Sequence, residues 1–153
     1  MQDFLFSLED SALGLYVSSS MWGYPIVLSL HALGMGALVG ISLMLAFRTL
    51  GFGSDIPVTS LTPYWRIALG AFVINLLSGV ALYFGSASEL TYNWAFLVKM
   101  VLVFVGLFLT QRLVTLCMKG DGEITSNNRK LAALSIIAWV GALITGRLIG
   151  YIL

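Results

Sequence analysis

Three ionisable side chains in this sequence stand inside long apolar runs: His31, Lys99 and Arg147. Lys or Arg at mid-membrane costs ~2.5–3.5 kcal/mol on insertion scales, so such groups mark binding sites, ion pathways or buried pairs. None of the apolar runs contains Asp or Glu. One imidazole and two cations therefore define a centre with surplus positive charge. That suits an anionic ligand with a metal-binding or polar middle, and haem b meets those terms. His31 is the candidate metal ligand, because imidazole ligates haem iron. Lys99 and Arg147 are candidates for holding the propionates, and Gly34, three residues beyond His31, for leaving the ring space. There is no second histidine. Met100, on another run, is a candidate second ligand. Met35, one turn from His31, points to the same side of the iron. A partner subunit could also supply that ligand.

Other chemistries compete. A quinone or lipid headgroup is a polar ligand that a His and an Arg can hold. A transported anion fits the charge, but four short spans without a broken helix argue against a complete transporter. One histidine with scattered methionines makes no recognisable copper cluster. A purely structural role is also open: Lys99 and Arg147 can snorkel or pair with Glu9, Asp10 or Glu89, His31 can be hydrogen-bonded in the core, and Asn75 and Ser78 can bond between helices. No nucleophile–base pair, phosphate loop or paired carboxylates stands out, so a stand-alone enzyme is not expected.

The elements that must position these groups follow from composition. The chain has 153 residues, of which 59% are apolar and 10% charged, against ~25% charged in a soluble domain. Mean hydropathy is +0.96. Eight Lys/Arg and seven Asp/Glu cannot cover a soluble body of 16.6 kDa, and a net charge of +1 offers nothing to a nucleic acid. The single cysteine, Cys117, excludes an internal disulfide and reads as a small apolar residue in a helix.

A spanning helix needs ~20 mostly apolar residues. Such runs lie at about 24–47, 64–85, 92–117 and 130–152. Pro25 and Pro63 sit at helix starts, where proline costs little. Short loops force neighbouring spans antiparallel, which predicts an all-α, up-down four-helix bundle in a single membrane domain. Ahead of it, Phe4, Leu5, Leu8, Ala12, Leu15 and Tyr16 recur at helical spacing, predicting an amphipathic interfacial helix over about 2–20. Ser7 with Asp10 resembles a capping box there. The segment has no Lys or Arg, so it lacks the basic region of a signal peptide and is expected to be retained.

Six of the eight bases, Arg48, Arg66, Arg112, Lys119, Arg129 and Lys130, flank the first and third loops. The positive-inside rule puts that side in the cytoplasm and both termini outside, on the periplasmic face of a bacterial inner membrane. Trp22, Tyr24, Tyr83, Tyr92, Trp94 and Tyr151 then form an outer aromatic belt, with Tyr64 and Trp65 on the inner side. Counting about 1.5 Å of rise per residue, His31 lies roughly 10 Å below the outer belt, Lys99 roughly 8 Å and Arg147 roughly 6 Å, with Asn75 and Ser78 at similar depth. Ala32, Gly36 and Gly40, and Gly146 and Gly150, form small-residue stripes that predict close helix packing.

Trp22-Gly-Tyr24-Pro25, then His31, Gly34 and Gly40, together with Asn93-Trp-Ala-Phe96-Leu-Val-Lys99-Met100 and Gly146-Arg147 near Tyr151, resemble an uncharacterised, domain-of-unknown-function family of bacterial inner-membrane proteins. The likeness spans the chain and implies four helices and an inner-membrane location. It departs at Ala46, where the family pattern often carries an acid two residues before the arginine, here Arg48. A looser likeness to small membrane b-type cytochromes and copper-resistance-type membrane domains implies haem. The resulting expectation is a b-type haem-binding electron-transfer module, as a subunit of a larger membrane complex or a homo-oligomer. The alternative is a cofactor-free accessory or anchor subunit.

Overall fold

The computed structural model describes residues 2–119 and 124–152. Every regular element among them is an α-helix: α1 Gln2–Glu9, α2 Ala12–Ser19, α3 Gly23–Leu50, α4 Val58–Leu61, α5 Tyr64–Gly85, α6 Ala87–Thr91, α7 Trp94–Lys119 and α8 Ser126–Ile152. The four long helices have the length and apolarity of membrane spans. Their ends lie within a few residues of the predicted spans, and part of the expected aqueous loop, residues 120–123, lies outside the described residues. α3 ends in a left-handed Gly51 (φ 114°), a conformation glycine adopts without a Cβ penalty. Arg48 then donates to the carbonyls of Ser54 and Ile56 and organises the loop that follows. α7 begins where the Asn93 carboxamide accepts from the Ala95 and Phe96 amides, an Asx N-cap.

The bundle is built as membrane helices require, with bulky apolar side chains outside and small or hydroxylic ones within. Leu33, Leu77, Val101, Phe108 and Ile137 are exposed, whereas Ser42, Thr49, Thr110 and Ser135 are fully buried. With lipid as apolar as leucine, association relies on close packing and interhelical hydrogen bonds. The α7–α8 seam shows both. Trp139 of α8 is fully buried and lies against Gly106 of α7, where a Cβ would meet its ring at 2.8 Å. The Trp139 indole donates to Thr110 Oγ1 at 3.0 Å, and Thr110 Oγ1 shares a 2.9 Å bond with Ser135 Oγ.

α5 packs along α3, α3 along α8, and α8 along α7; α5 and α7 do not pack along each other. At the end carrying the basic loops, the Trp65 indole of α5 donates to Gln111 Oε1 of α7 at 2.5 Å. Toward the opposite end, called here the α6 end, these two helices leave a cleft. α1, α2 and α6 pack over that end.

Several local expectations change. The segment 2–20 forms two helices, broken at Asp10 and Ser11, because Ser11 caps α2 by accepting from the Gly14 amide. Ser7 instead donates to its own helix at Phe4 O, so it makes no capping box. The pair is docked against α5 and α6 with Leu5 and Val17 buried. The stripe Ala32, Gly36 and Gly40 faces outward, and a Cβ at Gly36 or Gly40 would meet nothing. Trp65 is buried rather than part of a belt. Gly106→Val is expected to force the Trp139 ring out of its seat and destabilise the bundle by roughly 1–3 kcal/mol. Leu33→Ala, at a 70% exposed position, is expected to have no resolvable effect. Unfolding midpoints in mixed micelles check both.

Candidate functional site

The cleft between α5 and α7 has a volume of about 670 Å³. α3 and α8 form its back wall through His31 and Gly146, and α6 reaches its rim through Leu90 and Thr91. Its walls are largely apolar and aromatic: Phe72, Phe96, Phe104, Met100 and Val103 line it with Tyr24 and Tyr83. Leu76, Val80, Leu97 and Phe104 line it and are also exposed on the lipid-facing surface. The cleft therefore opens sideways, toward the hydrocarbon.

His31 is held at the back of this cleft by α5. Its Nδ1 lies 3.0 Å from the Asn75 carbonyl oxygen and 3.2 Å from Ser78 Oγ. Ser78 Oγ directs its own proton along α5 to Ile74 O at 2.7 Å. A carbonyl only accepts, so the ring proton belongs on Nδ1 and the lone pair on Nε2. Asn75 closes a second link by donating from Nδ2 to the His31 carbonyl at 2.9 Å. Such a carboxamide between helices satisfies groups that lipid cannot. Two glycines make this possible. At Gly34 a Cβ would meet the α5 backbone at 2.9 Å, and at Gly79 it would meet the His31 ring at 3.1 Å.

Lys99 approaches from α7. Its stem lies over Gly146 of α8, where a Cβ would meet Cδ and Cε at 3.3 Å. Its Nζ stands 3.4 Å from His31 Nε2, so the ammonium donates to the free lone pair. Arg147, the next residue along α8, lines the same cleft from an exposed position, with its guanidinium over the Tyr151 ring at 5.6 Å. Among the described residues neither cation has a carboxylate partner. The acids named as possible partners are otherwise placed: Glu9 accepts from the Ser88 amide and hydroxyl, each at 2.7 Å, and Asp10 and Glu89 are exposed.

His31, Lys99, Met100 and Arg147 thus come to one cavity, and His31 and Lys99 touch. Gly34 does not line it; the space it leaves is taken by α5, not by a ring-shaped ligand. Met35 is buried in the bundle core, away from the cleft. Among the described residues no three His, Cys, Asp or Glu side chains cluster as a metal cage. Gly79 carried no signal in the sequence beyond its type. Tyr83 is withdrawn from the aromatic belt: it stacks on Phe96 with centroids 5.9 Å apart and bonds Thr91 at 2.8 Å on the cleft wall.

Comparison with protein-family models, curated proteins and solved structures finds no match for this chain.

Asn75→Leu removes the carboxamide bond to the His31 carbonyl and is expected to loosen the α3–α5 pair by about 0.6–1.7 kcal/mol, the range for hydrogen bonds between membrane helices, while the ring keeps its backbone acceptor at residue 75. Gly79→Val should displace the imidazole. The checks are a lowered unfolding midpoint in the first variant and a shifted His31 ring resonance in labelled protein of the second.

Proposed function

We propose that this membrane protein binds the polar head of an amphiphile taken laterally from the bilayer, with His31, Lys99 and Arg147 holding the head and the aromatic cleft holding its body. One observation carries the reading: two cations with no carboxylate partner among the described residues and a tethered imidazole face a cavity that opens toward lipid. Charged groups in that setting are costly unless a ligand completes them. Sites of this kind are concave, mostly apolar and fitted with a few fixed polar groups.

Haem b is the second reading, favoured by one feature. Metal-ligating histidines donate their other ring N–H to a carbonyl, as His31 does to Asn75. Ligation through Nε2 would require Lys99 to leave that atom and turn to a propionate. Met100 would be the axial candidate from α7, and electron transfer within a larger membrane complex would be the role. In the first reading the protein serves the same kind of complex, or a homo-oligomer, as a ligand-binding subunit. We place it in a bacterial inner membrane with the basic loops in the cytoplasm and both termini outside.

Absorption spectroscopy of protein purified in mild detergent separates the two readings. The lateral-site reading expects no Soret band and co-purifying amphiphile, lost in Lys99→Met. A Soret band abolished in His31→Ala would establish haem instead. Topology is checked separately: alkaline phosphatase fused after Tyr151 should be active, and fused into the loop between α3 and α5 inactive. The reverse pattern would overturn the orientation.

A further inference from the structure

We infer that the head bound in this cleft is an aromatic hydroxyl, as in a membrane quinol, an inference that rests on the lateral-site reading above. The argument lies in what His31 and Lys99 together present. The Nδ1 proton of His31 is committed to Asn75 O at 3.0 Å, with Ser78 Oγ at 3.2 Å. Nε2 is left as an acceptor, and a proton there would point at the Lys99 ammonium 3.4 Å away. The back of the cleft therefore offers one acceptor beside one charged donor.

A hydroxyl answers both with a single oxygen. Its proton goes to Nε2 and its lone pair accepts from Nζ. The ligand takes the place of the direct Lys99–His31 contact, and no covalent bond changes. A carboxylate or phosphate carries only acceptors. Inserted between Nζ and Nε2 in the same way, it satisfies Lys99 but sets an oxygen lone pair against Nε2, leaving that atom without the donor it has in the direct Lys99–His31 contact. A quinone carbonyl has the same defect. The walls select the body: Phe96 and Tyr83 are already stacked, and Phe72 and Phe104 complete a slot suited to a flat ring. The rim of exposed aliphatic side chains leaves a hydrocarbon tail in the bilayer.

The test is anaerobic titration calorimetry of the protein in phosphatidylcholine nanodiscs, with three probes sharing a ten- to twelve-carbon tail: a decyl benzoquinol, the matching benzoquinone and dodecanoate. The quinol is expected to bind roughly tenfold tighter than the quinone, the worth of one hydrogen bond to an otherwise unpaired group. His31→Phe should bring the ratio close to one, whereas Lys99→Met should weaken both. The wild-type ratio stands as a test even where a variant fails to fold. Equal affinity for quinol and quinone, or tighter dodecanoate, would overturn the hydroxyl assignment while leaving the lateral site in place. Binding of none of the three overturns both.

Discussion

The structure turns on a chain of contacts that begins in the backbone of α5 and ends on α7: Asn75 and Ser78 to His31, and His31 to Lys99. Each link crosses between helices, and Lys99 rests on Gly146 of α8. One short polar path therefore touches all four spans. Its first half is strong in the ordinary sense, with a carboxamide and an imidazole satisfying each other's backbone. Its second half is an ammonium facing a lone pair with no carboxylate behind it among the described residues. That imbalance distinguishes the cleft from the sealed seam between α7 and α8. A bundle held for stability alone would close over Thr–Ser contacts, as α7 and α8 do at Thr110 and Ser135.

The open side of the bundle follows from where the close packing lies. The α3–α5 pair closes at Gly34 and the α7–α8 pair at Gly106. The two pairs are joined through α3 and α8, and again at Trp65–Gln111 near the basic loops. Nothing comparable draws α5 and α7 together at the other end, where Phe72, Phe96 and Phe104 line the walls of the cleft. Glycines at two seams and aromatic side chains on the walls between them give a cleft at one end and a sealed core at the other.

Much of this was legible in the sequence, and the divide has a physical cause. Four spans are written in composition and length, which the bilayer fixes independently of tertiary detail, so their positions needed little correction. The common depth of His31, Lys99 and Arg147 was legible for the same reason, since depth follows from counting residues. Helix rotation was not. The spans are apolar on nearly every face, so no stripe shows which side turns inward. Nothing in the sequence therefore shows that the Ala32–Gly36–Gly40 stripe faces outward, that Gly34 closes on α5, or that Gly79 lies against the His31 ring. Trp65 and Tyr83 were assigned to belts by height, and only the partners Gln111 and Thr91 reveal that they turn inward.

The Glu9 bond to Ser88 joins groups 79 positions apart. Ribosomal synthesis makes the acceptor long before the donor. α2 finds one neighbour in α3, which follows it directly, but the other neighbours of the first two helices, α5 and α6, are made later. During that interval Leu5 and Val17, buried in the finished molecule, lack the α5 and α6 surfaces, and the segment can settle only after α6 has been made. That end of the molecule can therefore close only once the chain has been made as far as α6.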